Sequence, residues 1–405
     1  MAVPLWLGAY AEVLGLPTKL ATLIWHAHEM VFGYAAATVA GFLLTAIPNW
    51  TGRMPLQGGA LATLVLLWAI GRLGVLFSDE IGAPAAAVAD LCFPAVFLAV
   101  VAREILAGKN WRNLPMLGAL SLLLLGNLLV HIDALDLADT GELGNRIGLV
   151  TLLMLISLVG GRIVPSFTRN WLAKQRPDVP APASFDALDR AVLALVAIAL
   201  AVWVAVPDSI ITSWVELAAG VAVGVRLVRW RGAATLREPL LWVLHLGYGW
   251  LALGFVLSAA SGLMTLLPPT TALRALTTGA IGTMTLAVMT RASLGHTGHA
   301  LIAGPRLRAG DARRALAPSR AHRRKPLCLA ALRRRSGVEC RVRTFRVVLC
   351  AAAGIAARER RGRPADLMRR PCQLRAPKYI PGADGDGVPR NRSPELMTPA
   401  ANQAR

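Results

Sequence analysis

The chain has 405 residues, 55% of them hydrophobic and 16% charged, with a mean hydropathy of +0.53. A soluble globular domain carries about 25% charged residues, so this composition excludes an ordinary soluble enzyme and points to lipid as the solvent. The formal net charge of +20 suggests nucleic acid until its position is read: 25 Lys and Arg against 7 Asp and Glu lie between Gly304 and Arg405, and the residues before them are close to neutral.

In chain order, Met1 to Leu16 is apolar without a basic leader and reads as a truncated first helix. Apolar runs of bilayer-spanning length follow at about 29–48, 57–77, 83–107, 114–133, 143–161, 188–206, 211–230, 240–261 and 271–290. The expected fold is therefore all-α, a polytopic transmembrane bundle over residues 1–300 with nine full spans besides the opening fragment, and a basic, low-order tail over 301–405. A loop at 165–188 with four prolines separates two groups of spans. The joints alternate in charge. Arg53, then Arg103, Lys109 and Arg112, then Arg162 to Arg176, then Arg226 to Arg237, and finally Arg291 mark one side; Asp79 and Glu80, then Asp133 to Glu142, then Asp208 mark the other. By the positive-inside rule the basic joints are expected to be cytoplasmic.

Ionisable groups inside spans are costly to bury and are the first candidates for function. His26, His28, Glu29, His131 and Arg274 fall toward the acidic-joint end, and together they predict one polar site there. Asn49, Trp50, Arg53, Arg162, Ser166, His245, Arg291 and His296 fall toward the basic-joint end and predict a second. His26 and His28 sit two residues apart, about 200° around a helix, so a running helix turns them toward different partners. Arg72 needs a counter-charge, and Asp90 on the next span has the right depth. Gly220 and Gly224 form a Gly-x-x-x-Gly helix-packing signal. Cys92 reads as a core residue. The spacing of the five cysteines signals neither a zinc site nor a disulfide framework.

Three stretches, "WHAHEMVFGYAAATVAGFLLTAIPNWTGR", "GNRIGLVTLLMLISLVGGRIVPSFTRNWL" and "LTTGAIGTMTLAVMTRASLGHTG", resemble the NnrS family in order from Met1 to about Gly298. That family consists of bacterial inner-membrane proteins of about twelve helices, described as binding haem and copper and linked to nitric oxide metabolism and resistance to nitrosative stress. The resemblance implies haem and copper as cofactors and nitric oxide as a ligand. It makes His26, His28, His131, His245 and His296 candidate metal ligands, without dividing them between haem and copper. Arg53, Arg162 and Arg291 become candidates for haem propionates, because a guanidinium fork suits a carboxylate.

Three features depart from the family pattern: Arg274 stands where the family has His, the first helix is short, and after about Ala300 two apolar helices are replaced by Arg-, Ala- and Pro-rich sequence of the kind a shifted reading frame yields. Read as a native arm, that tail would offer "RRK", "RRR" and "RERRGR" to phosphates or anionic lipid. With Phe345 and Tyr379 as its aromatics it has little for base stacking, and no nucleic-acid partner is expected. The alternative functions are a transporter or metal-delivery protein using the same histidines, or a damaged, inactive copy of the family.

Overall fold

The computed structural model describes residues 2–264 and 267–296, the side chains of Gly295 and His296 excepted. The basic tail expected at 301–405, and the reading-frame and phosphate-binding readings attached to it, lie outside the described residues.

Among those residues the structure is helical, with nine helices long and apolar enough to cross a membrane. A short helix, α1 (Ala2–Tyr10), buries none of its side chains. The spans are α2 (Thr22–Thr51), α3 (Gly59–Leu76), α4 (Ala83–Ala107), α5 (Trp111–Ala134), α6 (Gly141–Gln175), α7 (Ala187–Ala205), α8 (Ile210–Val228), α9 (Pro239–Leu263) and α10 (Pro269–Leu294). They fall where the nine apolar runs were expected. The chain is a multi-pass, membrane-spanning bundle whose outward faces, such as Val65, Leu66, Ile70 and Leu73 on α3, are exposed and apolar.

Two boundaries differ from expectation. Helix α2 starts at Thr22 rather than near 29, so both histidines of "WHAHEM" are helical. Helix α6 runs on to Gln175, through Pro165 and well into the segment expected as a loop. Val164, Thr168 and Leu172 lie at helical spacing on one buried face, and this apolar stripe carries the helix on. Its 35 residues span about 52 Å against about 30 Å of hydrocarbon, so α6 projects beyond the bilayer at the basic-joint end.

Three spans contain a π-helical turn, at Glu29–Ala35 in α2, Ile156–Gly160 in α6 and Ala275–Gly282 in α10. The first two lie inside the stretches that carry the family resemblance, and the third begins one residue before its stretch. In α2 the wider turn presents the Gly33 carbonyl to Trp68 Nε1 of α3, which donates to it at 3.0 Å.

Packing between helices rests on close glycine contacts. On α5 and α6, Gly126 and Gly144 face each other so closely that a Cβ on Gly126 would stand 2.7 Å from the Gly144 carbonyl oxygen. Gly220 meets Val256 and the Ala252 carbonyl of α9, as the Gly-x-x-x-Gly pattern predicts, whereas a Cβ on Gly224 would meet nothing within 4 Å. Cys92, expected in the core, is only half-buried.

Arg226 corrects a further expectation. Its place in a basic joint suggested a surface anchor, yet it is fully buried among Asp189, Ser157 and Tyr248. Its Nε donates to Asp189 Oδ1 at 2.6 Å, and Nη1 donates to the Ser157 carbonyl at 3.1 Å and to Tyr248 Oη at 2.9 Å. A charge at that depth is tolerable because the carboxylate of α7 is within reach.

A candidate metal centre at the acidic-joint end

Helices α2, α3, α4 and α5 bring six polar side chains together near their acidic-joint ends. His28, Glu29, Asp90, Asn127 and His131 are buried, and Arg72 is half-buried. Asp90 is the hub. Its Oδ1 accepts from Arg72 Nη2, and Arg72 Nη1 donates to Glu29 Oε1 at 2.7 Å. Its Oδ2 faces His131 Nε2 at 3.0 Å, His28 Nε2 at 3.2 Å and Asn127 Nδ2 at 3.0 Å.

The helical register explains why these residues meet. Once α2 is helical through His28, that ring turns inward against α5, while His26 turns away and stacks on Trp6 with ring centroids 4.2 Å apart. Asn127 and His131 are four residues apart on α5 and share one face. Gly71, one residue before Arg72, lets α3 approach α4 closely, since a Cβ there would stand 3.0 Å from Asp90 Cα.

The proton inventory follows from the contacts. Asn127 donates to Asp90 through Nδ2, so its carbonyl Oδ1 faces His28 Nε2 at 2.8 Å and must accept from it. In this arrangement His28 carries its proton on Nε2; ligating an ion through that nitrogen would move the proton to the buried Nδ1, which faces Glu29 Oε1 at 3.7 Å.

One nitrogen from each of His28 and His131 and a carboxylate oxygen of Asp90 lie within 4.8 Å of one another. First-row metal ions hold such ligands at about 2.0–2.2 Å, which places neighbouring ligands about 2.8–3.6 Å apart. The 3.0 and 3.2 Å separations from Asp90 Oδ2 to the two imidazoles fall in that range. Two imidazoles and a carboxylate suit copper, zinc or iron. They do not suit haem at this place: the rings lie 5.5 Å apart at 75°, and the carboxylate oxygen both nitrogens face would stand where the macrocycle must pass.

Of the residues expected to converge here, His28, Glu29 and His131 do. His26 does not, and Arg274 is exposed. The Arg72–Asp90 pair is formed as its depth suggested. Asn127 gave no signal in the sequence, because a lone amide in an apolar run looks like any other.

At the basic-joint end the expected residues are distributed. Arg53 donates to Glu104 at 2.5 Å. Arg162 reaches Asn113 Oδ1 at 3.1 Å, Asn113 bonds Asn110, and Asn110 Nδ2 donates to the Trp50 carbonyl at 2.6 Å, which ties the first two resembling stretches together. Asn49 Nδ2 donates to its own helix at the Thr45 carbonyl, and Ser166 is exposed. Arg291 lies 4.0 Å over the Phe167 ring. His245 is buried with Nδ1 3.1 Å from the Leu241 carbonyl and Nε2 3.2 Å from Thr168 Oγ1. A backbone carbonyl on Nδ1 is the usual orientation of a ligating imidazole, with Nε2 presented as donor to a metal. His296 ends the last helical stretch, Thr283–His296, and its side chain lies outside the described residues. Between α2, α6 and α10 is an apolar cleft of about 80 Å³ lined by Phe42, Leu43, Leu152, Ile156, Ile281 and Met284 among others, with no histidine in its wall.

No curated protein and no solved structure matches the chain. The family model described as "NnrS protein" matches residues 1–312, more than three quarters of the chain and a little beyond the boundary drawn at 300. On that match the chain belongs to the NnrS family.

Proposed function

We propose that this protein is a metal-binding inner-membrane protein that handles nitric oxide, with copper held by His28, Asp90 and His131. The observation that carries the reading is the buried convergence of two imidazoles and a carboxylate oxygen within 4.8 Å, in a chain of a family described as carrying haem and copper. Asp90 and the imidazoles would hold the ion, Arg72 would keep the second carboxylate oxygen occupied, and Asn127 would steady Asp90 through its Nδ2 hydrogen bond. Among the histidines, His245 has the hydrogen bonding that would suit a haem ligand, and haem held there would supply iron able to bind a diatomic gas. His26 and His296 stay candidate ligands, and Arg53, Arg162 and Arg291 stay candidates for the propionates. An uncharged diatomic gas crosses lipid freely, so a site inside the bundle needs no polar entry path.

The test is to purify the full chain from haem-replete membranes, measure copper, zinc, iron and haem, and record reduced-minus-oxidised spectra with and without nitric oxide. Near-stoichiometric copper that is lost in His28→Ala and His131→Ala but kept in His26→Ala is the expected result. A folded protein with no transition metal, or metal retained in both variants, would overturn the site. Metal flux in vesicles without retained haem would instead favour a metal-delivery function for the same residues.

A further inference from the structure

Among the described residues five carboxylates are buried: Glu29, Asp90, Asp189, Glu216 and Glu238. Glu29 and Asp90 pair with Arg72, Asp189 pairs with Arg226 and Arg229, and Arg291 supplies a positive charge near Glu238. Glu216 is different. It is 3% exposed in the middle of α8, and among the described residues no cation lies within ion-pair distance of it. Ser258 on α9 is its polar neighbour.

No nearby element supplies a counter-charge. Arg226, the other ionisable residue of α8, is ten residues along, about 15 Å away. Helix α9 contributes His245 and Tyr248, and α7 contributes Asp189 and Arg190, all toward the basic-joint end. Asp208, beyond the near end of α8, is exposed and of the same sign as a glutamate. An isolated carboxylate in such a setting is far costlier than the neutral acid.

The surroundings place hydroxyls between Glu216 and the acidic-joint end, those of Thr212 and Ser261 donating to the Val206 and Leu267 carbonyls. Ser209, Thr212, Ser213 and Glu216 follow one another on α8 at helical spacing, and Ser258 and Ser261 do so on α9. Exposure falls along this seam: Ser209, Ser258 and Ser261 are half-buried, whereas Thr212, Ser213 and Glu216 are buried. Past Glu216 the seam closes, because Gly220 packs against Val256 and the Ala252 carbonyl.

From this geometry we infer that Glu216 is a membrane-embedded proton-binding site, held as the neutral acid and exchanging its proton with water at the acidic-joint end through the hydroxyl seam between α8 and α9. The reaction is a simple acid equilibrium: the carboxyl O–H bond breaks, and the proton passes along the hydroxyls to water. This site is separate from the metal cluster and stands or falls independently of it.

The test uses the purified full chain in lipid nanodiscs. A hydrophobic carbodiimide attacks a neutral carboxylic acid: the acid proton moves to a carbodiimide nitrogen, the carboxyl oxygen adds to the central carbon, and rearrangement leaves a stable N-acylurea. Peptide mapping at neutral pH should find the adduct on Glu216, with labelling lost in E216Q and slowed as pH rises. Infrared spectra of the unmodified protein should show an acid carbonyl band that shifts in heavy water, more slowly in S213V. An unlabelled Glu216 together with no exchangeable acid band in the wild-type chain would overturn the proposal, and neither wild-type measurement depends on a variant that folds.

Discussion

At the scale of single residues, the His28–Asp90–His131 cluster depends on a cation that would hold no metal itself. Arg72 bonds both Glu29 and Asp90, so removing it leaves two buried carboxylates facing each other inside the bundle. Arg72→Met is expected to cost about 3–5 kcal/mol of stability, the range for breaking a buried ion pair from one side, read as a lower unfolding midpoint in detergent. Losing both carboxylates with it, in the triple variant with Glu29→Gln and Asp90→Asn, should recover part of that loss while abolishing metal binding. Arg226 makes a similar demand on its neighbours. A Cβ on Gly161 would run into its guanidinium, so Gly161→Ala should destabilise the chain by about 1–3 kcal/mol, and less so in an Arg226→Met background. The Arg72–Asp90 pair was legible in the sequence, because a lone charge in a span must find a partner of matching depth. Arg226 was not: near the end of an apolar run, a buried arginine and a surface anchor look the same, and only the approach of α7 decides between them.

At the scale of elements, the π-helical turn in α2 sets the register of the site. It falls immediately after His28 and widens the helix so that Glu29 faces Arg72 while Gly33 presents its carbonyl to Trp68. Trp68→Phe removes that donor and keeps the ring, so it should cost about 1 kcal/mol of stability and weaken metal retention relative to the wild type, measured by equilibrium dialysis against a chelator. Were metal retention unaffected, Trp68 would be a packing residue and nothing more. The α5–α6 contact has less tolerance. Gly126 and Gly144 meet backbone to backbone, and Asn127 and His131 ride on the same face of α5. Gly144→Val should therefore push α5 away and lose the metal along with the packing. Outside the bilayer, α7 begins with a reciprocal cap in which the Asp186 side chain accepts from the Asp189 N–H. The hydrogen bond from Arg229 holds the Asp186 carboxyl well below the usual carboxylate range. A depressed acid contributes stability above its unfolded value, about 3.9, and that contribution fades as pH falls below it. Acidification below about pH 3.9 should thus fray the start of α7, read as a falling helical signal, an effect absent in Asp186→Asn.

For the whole molecule, periodicity and length located all nine spans, since a bilayer needs about 20 apolar residues per crossing and few other constraints produce such runs. What they did not locate was how the helices face one another. The sequence marked His26, His28 and Arg274 as equals at one end, yet the helix that begins at Thr22 sends one histidine inward and the other onto Trp6, and Arg274 outward. Orientation across the membrane is a separate question from packing, and the charge of the joints answers it: basic residues at every second joint predict that end in the cytoplasm. Single cysteines at Asp136 and at Arg231 test this in a chain cleared of its own five cysteines. Both sites lie in turns with positive φ, so a cysteine there is strained but well separated from the core, and both face water in the folded bundle. A membrane-impermeant thiol reagent applied to spheroplasts should label the cysteine at 136 and spare the one at 231 until the membrane is opened. The reverse pattern would turn the bundle over, and the metal cluster, which sits at the end carrying Asp136, would then lie next to the cytoplasm and draw its ion from the reducing side rather than from outside.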